Sequence, residues 1–157
     1  MNRLYNQKSK DLLVKELAFE DFNRTTCSFY KYVNIVDPST FRDKVYEEFD
    51  ILEILGRVYI AKEGVNAQIS VPEKNWGLFL KLISNIKFFN DVDIKPAICD
   101  GTSFYKLVVK IKKEIVAYNI PKNKFNMDVV GEHLDTKQFN EAIKNSNTTV
   151  IDMRNIY

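Results

Sequence analysis

The sequence predicts an α+β fold of the ferredoxin-like type, a βαββαβ antiparallel sheet with two helices on one face. Two observations predict it. Three stretches, 27–34, 56–71 and 104–113, are rich in aromatic and β-branched residues, and the second and third alternate apolar with polar positions. Between them lie two segments whose apolar residues recur at helical spacing.

The elements follow in order. Residues 1–26 are polar, with a short helical pattern at Leu12, Leu13, Glu16 and Leu17, and form an N-terminal arm expected to lie against the domain. "CSFYKYVN" from Cys27 is the first strand of the ferredoxin-like domain, 27–113. In "VDPSTFRDKVYEEF", Asp37 is a cap, Pro38 suits the first helical position, and Phe41, Val45 and Phe49 form the buried stripe. Val36 and Phe41 are placed to make a hydrophobic staple across that cap. "GRVYIAKEGVNAQISV" reads as a hairpin turning at Glu63-Gly64-Val65-Asn66, with Gly64 at the first central position of a type II′ turn.

A second helix is expected in "PEKNWGLFLKLISNI", where Trp76, Phe79, Leu80 and Ile83 fall at i, i+3, i+4 and i+7. "DVDIKPAICDGTS" is a possible short strand and a turn at Asp100-Gly101, before the alternating strand "FYKLVVKIKK". Tyr105, Leu107, Val109 and Ile111 share one face of it, and Lys106, Lys110 and Lys112 the other. A polar, Pro-containing linker, 114–132, follows. A second start signal then appears in 133–157: Asp135 with Gln138 is a capping box, Leu134 and Phe139 a staple, and Thr148 to Met153 reads as a buried-type strand.

Composition narrows the function classes. Of 157 residues, 45% are hydrophobic and 28% charged, which suits an ordinary globular core. No stretch approaches the roughly 18 apolar residues of a membrane span and the start is polar, so no membrane partner and a cytoplasmic location are expected. Two cysteines and one histidine, His133, show neither a disulfide framework nor metal-ligand spacing, and no metal is expected. Cys27 and Cys99 are expected to be reduced and inert, and His133 to lie on the surface. The formal net charge of +2 does not announce nucleic-acid binding, but 23 basic residues can be gathered on one face.

Alternation supplies such a face. With Val58, Ile60, Ile69, Leu107 and Val109 turned to the helices, Arg57, Tyr59, Gln68, Ser70, Lys106 and Lys110 lie on the opposite side, together with Tyr30 and Tyr32. Cations interleaved with aromatic rings suit RNA, the cations for phosphates and the rings for unstacked bases. The bland alternatives are a solvated face or one covered by another domain. Glu63, Gly64 and Asn66 form a second candidate, a turn that could present polar groups to a neighbouring domain or serve only its own backbone.

Three separated blocks, "TTCSFYKYVNIVDPSTFRD", "GRVYIAKEGVNAQISVPEKN" and "VVGEHLDTKQFNEAI…TTVIDMRNIY", closely resemble the rhodanese-related tRNA uridine hydroxylase family. The resemblance implies an acylphosphatase-like N-terminal domain followed by the truncated start of a rhodanese α/β domain. It also implies an enzyme that forms 5-hydroxyuridine at the tRNA wobble position with dioxygen as co-substrate, tRNA as partner, and no cofactor bound in this chain. The family's reactive cysteine, at the head of a Gly-rich anion-cradling loop, is expected beyond Tyr157 in the missing C-terminal rhodanese domain. Neither Cys27 nor Cys99 matches it, so this chain is expected to contribute tRNA binding and to be inactive alone. Asp152 and Arg154 match the rhodanese strand-end motif. Other classes stay open at this point: an acylphosphatase-like small hydrolase, disfavoured because "NIVDPSTFRD" has no glycine, and a non-catalytic interaction module.

Overall fold

The computed structural model describes residues 4–97, 103–116, 126, 129 and 131–152. The chain forms two compact units, Met1–Ile120 and Pro121–Tyr157. In the first, helix α1 (Lys10–Ala18) starts where the Ser9 hydroxyl accepts the Leu12 N–H at 3.3 Å. Strand β1 (Arg24–Tyr32) begins three residues before Cys27, because Arg24 is only 8% exposed and belongs to the ladder rather than to a solvated loop. Glu20 grips its guanidinium with two bonds of 2.6 and 2.7 Å, and the carbonyls of Glu53 and Ser70 accept from it at 2.9 and 3.2 Å. That pairing is what lets a cation lie buried at the start of a strand.

Helix α2 (Pro38–Ile51) is capped by Asp37 as its sequence indicates, with Pro38 in the first turn. The staple across the cap is not made. Val36 is 85% exposed, while Ile35 is buried and Phe41 packs edge-on against Phe88 and Phe89. Strands β2 (Leu55–Ala61) and β3 (Gly64–Pro72) form the hairpin, and the pairing of Ala61 with Gly64 puts the two-residue turn at Lys62-Glu63. Neither turn residue has a positive φ, so the expected type II′ turn on Gly64 is wrong. Gly64 answers a different need: its φ is 147°, and a Cβ there would lie 2.1 Å from the Lys31 carbonyl oxygen of β1.

Helix α3 (Trp76–Asn85) buries Phe79 and Ile83, with Trp76 and Leu82 packed beside them; Leu80 is exposed, and Leu82 takes the place expected for it. The short strand β4 (Lys95–Pro96) and strand β5 (Leu107–Ile111) complete a sheet of order β4-β1-β3-β2-β5. The ferredoxin-like fold is therefore present with one correction. The closing strand of the βαββαβ unit is β4, antiparallel to β1, and the alternating strand around Val109 is a fifth strand running parallel to β2, so the sheet is mixed. Proline is tolerated at position 96 because β4 is an edge strand: the bond to β1 is made by the next residue, whose N–H donates to the Thr26 carbonyl at 2.8 Å, and the proline nitrogen points away from β1.

Helices α2 and α3 cover one sheet face. Between them and the sheet lie Phe29, Val45, Phe49, Val58, Ile60, Ile69, Phe79 and Phe89, all essentially inaccessible. Phe29 meets Phe89 edge-on at 5.4 Å and Phe49 meets Phe79 at 6.1 Å, arrangements that suit aromatic quadrupoles.

In the second unit, helix α4 (Thr136–Ala142) carries the capping box read from its sequence: Asp135 accepts the Gln138 N–H and Gln138 accepts the Asp135 N–H, both at 2.8 Å. The strand expected from Thr148 to Met153 is not formed over 148–152, where Ile151 is 75% exposed. Among the described residues of 121–157 no other strand offers its backbone a partner.

Candidate nucleic-acid interface

The sheet face turned away from the helices is ordered by strand register. One cross-strand row runs Tyr30, Asn66, Tyr59, Lys110 over β1, β3, β2 and β5. The next row is Ser28, Gln68, Arg57, Val108, and Tyr32 stands one row nearer the hairpin turn, opposite Gly64. Directly opposed side chains in such rows are neighbours, so Tyr59 lies between Asn66 and Lys110, and Arg57 between Gln68 and Val108.

Tyr30 is 62% exposed and meets Tyr32 edge-on at 6.4 Å. Burial, helped by the charges of Glu63 and Glu114 and by Tyr30, pushes the Tyr32 phenol above its ordinary value, which keeps it a neutral hydrogen-bond donor at neutral pH. Tyr59 is half-buried, and the Lys112 ammonium lies 5.2 Å from its ring centre. Arg57 lies over the Phe104 ring at 5.8 Å. Phe104 is not among the residues read for this face, although it opens the expected strand 104–113 in phase with Lys106; β5 itself begins only at Leu107, and it is the contact with Arg57 that brings the ring to this face. The lysine alternation of this strand already places Lys112 on the face with Lys106 and Lys110, so the sequence carried its signal.

Arg57, Lys106, Lys110 and Lys112 have no carboxylate partner among the described residues, so their charge faces outward uncompensated. Ser70 does not join this face in the open: it is 1% exposed beside the Arg24 guanidinium. Ser70 therefore adds no accessible side chain to the face, whereas Arg57, Lys106 and Lys110 are exposed on it.

Glu63 and Asn66 are turned to the chain's own backbone. Glu63 accepts the Ile115 N–H at 2.9 Å and Asn66 donates to the Ile115 carbonyl at 3.2 Å, pinning the segment that leaves β5. Of the remaining candidates, Asp152 is exposed, His133 is exposed, and Cys99 and Arg154 lie outside the described residues. Burial pushes the Cys27 thiol up to about 12, so it holds no thiolate at neutral pH. Among the described residues no group of His, Cys, Asp and Glu could hold a metal ion, and no helix is long and apolar enough to cross a membrane.

The β1–α2 loop, where a phosphate-binding hydrolase of this fold type would need free donors, is already filled. The Asp37 carboxylate accepts the N–H groups of Ser39 and Thr40 at 3.0 and 3.2 Å and the Thr40 hydroxyl at 2.7 Å. These bonds, the Thr40 hydroxyl first, hold the carboxyl below its usual range, so the site presents a fixed negative charge to any incoming anion.

The model of the UPF0176 acylphosphatase-like domain matches residues 24–115, which is the five-stranded sheet with its covering helices and the pinned Ile115. The chain is 43% identical over 155 residues to a tRNA uridine(34) hydroxylase of Leptospira interrogans, covering 98% of this chain and 42% of that protein. Proteins of the same name from Buchnera aphidicola and Photorhabdus laumondii are 38% and 40% identical, each over 98% of this chain and over 50% and 44% of their own lengths. The chain thus spans about half the length of the curated relatives it matches. With a family model spanning the whole sheet, the chain belongs to the family of the UPF0176 acylphosphatase-like domain.

Proposed function

We propose that this chain is the tRNA-engaging N-terminal part of a tRNA uridine(34) hydroxylase and that it engages tRNA with the open sheet face. The similarity of nearly the whole chain to proteins of that name supports the reading, and the register that gathers uncompensated cations with tyrosines on one face carries its location. Arg57, Lys106, Lys110 and Lys112 neutralise phosphates, and Tyr30 and Tyr32 offer rings to unstacked bases. The reaction, formation of 5-hydroxyuridine with dioxygen as co-substrate, belongs to a cytoplasmic enzyme whose reactive cysteine lies in a rhodanese domain outside residues 1–157. This part binds no cofactor of its own. Cys27 is no candidate nucleophile, being buried and protonated.

Titration of tRNA against the 157-residue chain over a series of salt concentrations tests the location. Replacing Arg57, Lys106 and Lys110 by Ala should weaken binding and lower the slope of log K against log salt by about 0.7 to 0.9 for each phosphate that is no longer neutralised. Lys81→Ala, on the exposed side of α3, is the charge-matched control and should change neither. Equal losses from both sets would mean diffuse attraction and would remove the sheet face as the site.

A further inference from the structure

A cleft of about 480 Å³ opens at the end of the sheet opposite the hairpin turn, between the N-terminal segment and the starts of β2 and β5. Its size falls in the range of small-molecule sites. Tyr5, Tyr46 and Tyr105 line it together with Asp50 and Lys106. Most of the charges around it are already spent within the protein. Lys8 is paired with Glu16 at 2.7 Å, Glu20 with Arg24 at 2.6 Å, and Glu53 with Lys74 at 2.7 Å.

Two cations are left over. The ammonium groups of Lys10 and Lys106 lie 5.9 and 5.6 Å from the centre of the Tyr105 ring, and neither has a carboxylate partner among the described residues. An aromatic ring flanked by two unpaired ammonium groups at the mouth of a cleft matches the two ends of a nucleotide, a flat base and a phosphate dianion. Beside the half-buried Tyr105, the exposed Asp50 carboxylate on the cleft lining offers an acceptor for a base N–H.

We propose that this cleft binds one nucleotide, whose phosphate draws the Lys10 and Lys106 ammonium groups off the Tyr105 ring so that its base takes their place there. The proposal rests on the RNA-binding reading of the sheet face and extends it. Lys106, which immediately precedes β5, belongs to both sites, so an RNA lying on the sheet can place an unstacked nucleotide in the cleft without leaving the cationic surface. The same chemistry would also admit a free nucleotide, and the test separates the two sources.

The full 157-residue chain is titrated with a short RNA stem-loop carrying 2-aminopurine in its loop and, separately, with uridine 5′-monophosphate followed by NMR at the Tyr105 amide. For the RNA, Tyr105→Ala should weaken binding by about 5- to 150-fold with the salt slope unchanged, and Tyr105→Phe should keep the affinity. Fluorescence of the labelled loop should be quenched by the unmodified chain and not by Tyr105→Ala. Lys10→Glu guards against a folding defect, because an acidic residue suits the first turn of a helix; it too should weaken binding.

If Arg57→Ala and Lys110→Ala weaken RNA binding while Tyr105→Ala and Lys10→Glu leave affinity and quenching untouched, the cleft proposal is overturned and the sheet-face reading stands. If no RNA binds but the mononucleotide shifts Tyr105, the cleft is a free-nucleotide site and the RNA reading fails. Silence in both titrations overturns both.

Discussion

The Glu63 carboxylate accepts the backbone N–H of Ile115 at 2.9 Å, across 52 residues of sequence, while Asn66 donates to the carbonyl of the same residue. Ile115 is 3% exposed although it follows the last strand of the sheet. Two side chains from one hairpin thus do for Ile115 what a neighbouring strand does for a ladder residue, satisfying both of its backbone groups. The hairpin turn thereby fixes the path along which the chain leaves β5.

Loss of that clamp should be local. Glu63→Ala and Asn66→Ala should each cost about 1 kcal/mol, the usual net value of one hydrogen bond, and both should speed hydrogen exchange at the Ile115 amide. Exchange at Val58 and Ile69, in the buried ladder, should slow or quicken only with global stability. If the Ile115 amide exchanges at the same rate in Glu63→Ala as in the unmodified chain, the clamp is not what protects it.

Arg24 is the polar group on which the start of the sheet depends. Arg24→Met keeps the length of the side chain and removes the charge, leaving the Glu20 carboxylate and the Glu53 and Ser70 carbonyls without their donor. Breaking a largely buried pair from one side should cost about 3 kcal/mol in urea unfolding. Glu20→Gln, which keeps an acceptor beside the guanidinium, should cost clearly less. Equal costs would show that charge neutralisation, not hydrogen bonding, sets the value.

Those two relationships also mark what the sequence could and could not announce. Period-two alternation places Val58, Ile60, Leu107 and Val109 toward the helices and Arg57, Tyr59 and Lys110 on the other face, and Asp37-Pro38 and Asp135-Gln138 announce their helix starts, because these signals are local. The identity of the closing strand was not legible. β4 is two residues long and carries a proline, so a long alternating strand nearby drew the assignment instead. Side chains that act over long sequence distance were equally hidden: Glu63 and Asn66 on Ile115, Arg24 on Ser70, and Phe104 under Arg57. For the site, strand period supplied the cations and rings, but which ring stays open depends on neighbours outside the strands. The tail misleads for the opposite reason. Thr148 to Ile151 has a strand's composition, yet composition forms a strand only where a partner satisfies the backbone.

Cys27 should behave as a core residue. With its thiol pushed up to about 12 from 9.0 by burial, it should resist alkylation by iodoacetamide in the native state and react once the chain is unfolded. The sign of the pH effect follows. Between about pH 9 and 12 the unfolded chain has lost the proton that the folded chain keeps, so the folded state binds more protons and its stability falls as pH rises through that window. Cys27→Ser removes an ionisable group and should flatten this decline. An unchanged alkaline profile in Cys27→Ser would assign the decline to other groups, Tyr32 and Tyr46 first, whose phenols are also raised.

The tyrosines of the sheet face should separate by exposure. Tyr30 stands open beside Tyr32, whereas the Tyr59 ring is half-buried with Lys112 lying over it. A base can stack on Tyr30 without displacing anything, but on Tyr59 it must first move an ammonium group from the ring face. Tyr30→Ala should therefore weaken RNA binding by about 1 to 3 kcal/mol, and Tyr30→Phe should be nearly silent because stacking needs only the ring. Tyr59→Ala should cost less, and Lys112→Ala should lower the salt slope by the share of one neutralised phosphate, about 0.7 to 0.9. Fluorescence anisotropy of a labelled RNA stem-loop at several salt concentrations reads both quantities in one series. A larger loss from Tyr59→Ala than from Tyr30→Ala would mean that Lys112 leaves its ring when RNA arrives, and the centre of the site would move from β1 to β2.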